Sequence, residues 1–236
     1  MDQLLFTYNS EKGKKFMKLQ RLGGYAAIAS VLVFVAMLLL ASFQQIRFIL
    51  DDPAGFRNAV SAAPVGSYAI SLLIVIHFSL LQIMFFALHE RMQNKAPQLT
   101  RIALIAASAA AAVLVAFGIF YFDNIRIALQ HRVPMRVVEA RWTFIAAYEE
   151  LRMAASHFYG WACLLMGLAI LRVRPFSAVL GWLFVVAGVL NISGFMLIYL
   201  ESAGHLCVYI AAVWTGIAML RQKQPQSTLE EMAASK

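Results

Sequence analysis

Apolar residues gather into six long stretches, separated by connectors rich in polar residues, proline and glycine. The stretches cover residues about 22–43, 67–88, 99–122, 151–171, 176–200 and 203–220. Each is close to the roughly 20 residues that a helix needs to cross a hydrocarbon core about 30 Å thick. The pattern predicts an all-α fold: a polytopic transmembrane helical bundle of six spans, built as a single transmembrane domain over residues 1–236. Residues 222–236 read as a polar cytoplasmic tail. The fourth stretch is the least uniform, because Arg152 and His157 fall in its first two turns. The first stretch is longer than the apolar region of a signal peptide and no A-x-A site follows it, so it reads as an uncleaved span.

Two connectors are longer than a turn. In residues 123–150, Pro134 is placed to open a helix, and Met135, Val138, Trp142 and Ile145 recur at spacings of three and four. This spacing predicts an amphipathic helix lying in the outer interface, with Trp142 and Tyr148 at headgroup level. A long helix continuous with the fourth span is the alternative. Residues 44–66 carry Asp51, Asp52, Pro53, Gly55 and Pro64, all turn formers, and read as irregular.

Composition narrows the class. Apolar residues make up 61% and charged residues 14% of the chain, against roughly 45–50% and about 25% in a soluble domain. A chain of this size cannot hide that excess in a water-exposed fold, which excludes a soluble domain, a disordered chain and a disulfide scaffold.

The net charge of +8 belongs to the loops. Lys12, Lys14, Lys15, Lys18, Arg21, Arg91, Lys95, Arg101, Arg172, Arg174, Arg221, Lys223 and Lys236 fall on one side of the predicted membrane. Arg47, Arg57, Arg126, Arg132, Arg136, Arg141 and Arg152 fall on the other, a bias of 13 to 7. The positive-inside rule then puts both termini in the cytoplasm of a multi-pass inner (plasma) membrane protein. The basic residues flank spans rather than form an aromatic-interleaved stripe, so nucleic acid is not an expected partner. The lipid bilayer is, and a membrane protein partner fits as well.

Ionisable and amide groups inside apolar stretches are the candidates for chemistry. His77 lies deepest, in the second stretch, with Gln82 about 140° further around the helix. Asn191 is a polar group in a fifth stretch otherwise rich in small residues. A second group, Glu149, Glu150, His157, Glu201 and His205, gathers with Asp123 at the predicted outer ends. Glu201 and His205 are four apart and share a helical face. Such a cluster suits a divalent cation or a proton relay, and it suits equally acids placed at the positive ends of helix dipoles.

His157 and His205 lie at similar predicted depth, which admits haem ligation from two helices. Against specialised chemistry, GxSxG, HExxH and phosphate-binding glycine loops are missing from the sequence. Cys163 and Cys207 form no CxxC pair. Gly23, Gly24 and Gly181 read as helix-packing positions. No catalytic residue and no cofactor is therefore predicted. The leading expectation is a non-enzymatic accessory, ligand-binding or transport-type membrane protein. The alternatives are a haem-binding redox protein and a lipid- or isoprenoid-modifying enzyme.

The stretch Gly160-Trp161-Ala162-Cys163-Leu164-Leu165-Met166-Gly167 leads into the basic turn Arg172-Val173-Arg174-Pro175-Phe176. Leu180-Gly181-Trp182 and Ala187-Gly188 follow. With the polar turn between Ala87-Leu88 and Leu99-Thr100, this pattern resembles a family of bacterial six-span integral membrane proteins known only as a domain of unknown function. Val173 stands where that family typically carries a serine. The resemblance implies a six-span fold and no activity.

Overall fold

A computed structural model describes residues 2–43, 53–130, 135–194 and 198–221, with side chains placed for 16–42, 57–58, 60–130, 150–194 and 199–221. All regular structure among the described residues is helical: α1 Asp2–Phe43, α2 Pro53–Ala62, α3 Pro64–Met92, α4 Pro97–Ala128, α5 Met135–Val173, α6 Ala178–Ser193 and α7 Ile198–Arg221. Five segments are long and apolar enough to cross a membrane: Phe16–Ser42, Pro64–Met92, Pro97–Ala128, Glu150–Val173 and Tyr199–Arg221. The sixth apolar stretch forms only the 16 residues of α6, about 24 Å at 1.5 Å per residue. Hydropathy runs unbroken through residues 176–200, but α6 ends at Ser193 and the last residues of the stretch open α7.

Two connector readings are corrected. Residues 53–62 are helical, because Pro53 stands in a first turn, where its missing N–H leaves no hydrogen bond unmade. Val60 of this short helix is buried against Tyr121, Ile125 and Ala128 of α4. The amphipathic segment that begins near Pro134 is not a separate interfacial helix. It is the first part of α5, one continuous helix of 39 residues, about 58 Å long. Likewise α4 continues past Asp123 to Ala128.

The six long or apolar helices close a ring in the order α1, α3, α4, α5, α6, α7 and back to α1, with α2 against α4. Neighbours run antiparallel. Gln20 near the start of α1 donates to the Ala87 carbonyl near the end of α3 (2.8 Å), and Ser71 near the start of α3 donates to the Gly118 carbonyl late in α4. Burial is that of a membrane bundle. Leu32, Leu72, Ile105, Ile119, Trp182 and Leu206 are more than half exposed, while Ser30, Ser71, His77, Thr100, Asn191 and Thr215 are buried. A continuous apolar exterior of this kind is tolerated in lipid and not in water.

Glycines set the closest seams. On α5 and α6 they recur seven apart and meet in two antiparallel pairs. A Cβ on Gly167 would fall 2.8 Å from the Gly181 carbonyl oxygen, and one on Gly188 would fall 2.7 Å from that of Gly160. Between α1 and α7, a Cβ on Gly216 would stand 2.7 Å from the Gly24 carbonyl oxygen. Without a hydrophobic drive between helices in lipid, such close backbone approach is what holds them together through van der Waals contact. Half of the ring's interior is filled by Phe85, Met84, Leu88, Met166, Ile170, Leu180 and Phe184. This packed half lies toward the end that carries Gln20, Arg91 and Arg221.

Candidate functional site

The other half of the ring is not filled. A cavity of about 560 Å³ opens there between α1, α3, α4, α5 and α7, within the 300–1,000 Å³ usual for small-molecule sites. Phe34, Met37, Ile74, Phe78, Leu114 and Phe117 supply its apolar wall. Two helices supply its polar wall. On α5, Arg152, Ser156 and Tyr159 stand at i, i+4 and i+7. On α7, Ser202, His205 and Tyr209 stand at i, i+3 and i+7. Both spacings keep three side chains on one helical face.

Charge at the cavity mouth is balanced. Arg152 Nη1 donates to Glu201 Oε1 at 3.2 Å, with side-chain exposures of 29% and 7%. Glu201 is held off lipid by this partner and by close packing on α6, since a Cβ on Gly194 would meet the Glu201 Cβ at 2.6 Å. His205 lies one turn further along α7, within electrostatic reach of both Glu201 and Arg152.

Below the mouth, the Ser156 and Tyr159 hydroxyls are buried, at 5% and 4% residue exposure, and have no hydrogen-bond partner among the described residues. A buried hydroxyl without a partner costs about 1–3 kcal/mol. Both oxygens are closed to a water-sized atom, so these two residues meet the cavity through their other atoms.

Aromatic rings continue from the cavity into the interior. His205 stacks near Tyr209 at 6.4 Å between centroids, Tyr209 lies 4.2 Å from Phe34, and His77 stands 5.7 Å from Tyr209 and 4.9 Å from Phe78. His77 is 2% exposed. Its Nδ1–H donates to the Ser30 carbonyl at 2.8 Å, which leaves Nε2 of the neutral ring as an acceptor without a partner among the described residues. The deep histidine is thus tied to a neighbouring helix and sits behind the aromatic wall.

The candidates named from sequence are distributed as follows. Glu201 and His205 belong to the cavity mouth and wall, on one face of α7 as their spacing requires. His157 is half-buried and does not line the cavity. It points about 140° around α5 from Arg152, toward the face that carries Gly160 and Leu164 against α6. Glu150 is exposed, and the Glu149 side chain lies outside the described residues. Asp123 pairs with Arg126 at 2.8 Å, away from the cavity.

Gln82 donates to Ser108 Oγ across the α3–α4 seam at 2.7 Å. Asn191 donates back to the Ala187 carbonyl of its own helix at 2.8 Å and packs over Gly204 of α7. Among the described residues, no group of three or more His, Cys, Asp or Glu side chains is placed to hold a metal ion. Arg152, Ser156, Tyr159 and Tyr209 escape a reading by residue type, which treats the first as a loop charge and the others as filler. Their shared helical spacing was the available signal. Compared with protein-family models, curated proteins and solved structures, the chain shows no significant match to any of them.

Proposed function

We propose that this protein is a six-span plasma membrane protein with both termini in the cytoplasm, whose central cavity opens toward the outer leaflet and binds a small amphiphilic ligand. It acts as a non-enzymatic binding, accessory or transport-type component. In this reading α6 completes the sixth crossing with the apolar residues that flank it. The charge bias of the loops supports the orientation, and the resemblance of the fourth and fifth stretches to a six-span family agrees with the span count.

The observation that carries the reading is the cavity itself, roughly 560 Å³, with apolar side chains on one wall and Arg152, Ser202 and His205 on the other. Mass spectrometry of the protein released from mild detergent tests it. The wild-type chain should retain a bound small molecule, and Leu114→Trp, which fills the cavity from α4, should release it while the protein stays folded. Phe117→Trp serves as a second filling variant. Retention of the same molecule by both folded variants would sink the reading. Reporter fusions after residue 236 and within residues 123–134 should report opposite sides of the membrane.

A further inference from the structure

We infer that the outer groove between α1 and α7 binds one anionic phospholipid, with its phosphate between Arg21 and Arg221 and one acyl chain along the groove. The lipid belongs to the leaflet at the Arg221 end, the inner one in the orientation proposed above. The site stands apart from the central cavity, because Phe34, Leu206 and Tyr209 line both spaces and divide them.

The seam itself shapes the groove. At one end α1 and α7 meet backbone to backbone, where a Cβ on Gly216 would fall 2.7 Å from the Gly24 carbonyl oxygen. Further along, Phe34 and Tyr209 meet ring to ring, 4.2 Å between centroids, and form the floor. Val35, Leu38, Ile210 and Trp214, each more than a third exposed, form the banks. The space between them is about 730 Å³. Its lining follows α7 from Leu206 to Arg221, about 22 Å at 1.5 Å per residue. One leaflet contributes about 15 Å, half of a hydrocarbon core about 30 Å thick. The groove therefore takes an acyl chain over the whole depth of that leaflet.

Charge names the head. Arg221 is the one charged residue in the groove lining. Arg21 joins it from α1. A Cβ on Gly24 would meet Leu220 Cγ at 3.0 Å, so Arg21, three residues before Gly24, and Arg221, next to Leu220, stand at the same end of the seam. Arg21 also lies only about 40° around α1 from Val35. Both arginines are exposed, and neither has a carboxylate partner among the described residues. Glu90 is the one acidic side chain placed at this end among the described residues, and it accepts from Gln93 at 2.7 Å. At the opposite end, Arg126 pairs with Asp123 and Arg152 with Glu201. Two uncompensated guanidinium groups, one from each helix, match a phosphate through paired N–H···O contacts. A zwitterionic head would bring its own ammonium beside them, so an anionic phospholipid is selected.

The test uses the full-length chain in dioleoylphosphatidylcholine vesicles, with Trp214 kept as the one tryptophan by Trp142→Phe, Trp161→Phe and Trp182→Phe. Bromine atoms on an acyl chain quench tryptophan fluorescence on contact. At the same low mole fraction, dibrominated phosphatidylglycerol should quench Trp214 as if enriched about twentyfold over dibrominated phosphatidylcholine. Arg21→Gln and Arg221→Gln should each lower that preference about fivefold, and the double variant should abolish it. Val35→Phe narrows the groove and should lower the preference with both arginines in place. A companion chain with Trp161 as its one tryptophan, exposed on α5 outside the groove, should show no preference.

Equal quenching of Trp214 by the two lipids would overturn the anionic head. A preference at Trp161 as large as at Trp214 would replace the site with a general attraction to basic loops. Two-chain particles in which neither lipid quenches Trp214 would assign the groove to a second copy and overturn the inference. Survival of the preference in both Val35→Phe and the double arginine variant would do the same. Wild-type circular dichroism and elution volume in the variants separate a lost preference from misfolding.

Discussion

Helix α5 is packed in opposite ways on two of its faces. Toward α6 it presents Gly160 and Gly167, and the two backbones approach until even a methyl group would collide. Toward α1, α4 and α7 it presents Arg152, Ser156 and Tyr159, and a cavity remains. The glycine face gains dispersion contacts and leaves no polar atom to satisfy. The other face keeps bulky polar groups, pairs one of them, and leaves two hydroxyls without partners. One helix thus serves as a close-packed wall on one side and a cavity wall on the other. The difference is written in residue size and polarity together.

Five substitutions break or sharpen this contrast. The largest effect is expected from Arg152→Met, which strands the Glu201 carboxylate in a buried setting and should lower stability by about 3 kcal/mol. Unfolding in detergent at neutral pH measures it, and Arg152→Met combined with Glu201→Leu should recover most of the loss. Gly188→Leu forces α5 and α6 apart and should cost about 2 kcal/mol, read as a lower melting temperature. A smaller loss than for Ser156→Leu on the cavity face would invert the contrast.

On the cavity face the sign reverses for hydroxyl removal. Tyr159→Phe and Ser156→Ala delete donors that have no partner and should raise unliganded stability by up to about 1 kcal/mol. The smallest effect concerns the turn that joins the glycine seam. Arg174 has φ 53° and its N–H caps the Ile170 carbonyl at 2.7 Å, a left-handed position that glycine fills without strain. Arg174→Gly should stabilise by about 0.5 kcal/mol in the same assay.

Sequence reading anticipated the helical, apolar architecture because length and hydropathy alone decide it. It missed what those quantities do not encode. The fifth stretch stays apolar through Gly194, so a hydropathy scan passes over the end of α6. Pro53 counts as a breaker until it is seen in a first turn. Arg152 was assigned to the outer loop charges, because only the packing of α5 on α7 turns it into the partner of Glu201. The glycine positions were legible, since small residues in a span have few other uses. His77 was legible as deep, but its tie to Ser30 depends on which helix stands beside α3.

The unbroken course of α5 has a mechanical consequence. No proline interrupts residues 135–173, so the helix behaves as a stiff rod. One close bearing is the contact of Gly160 with α6, where a Cβ would fall 2.9 Å from the Ile192 backbone nitrogen. The arm from Gly160 back to Met135 is about 37 Å, and that from Gly160 to Arg152 about 12 Å. Tilting the rod by about 10° about this fulcrum moves the Met135 end by about 6 Å and the cavity mouth by about 2 Å. The helix is therefore a reducing lever: a large push on its far end reaches the Arg152–Glu201 pair as a displacement comparable to a hydrogen bond's reach.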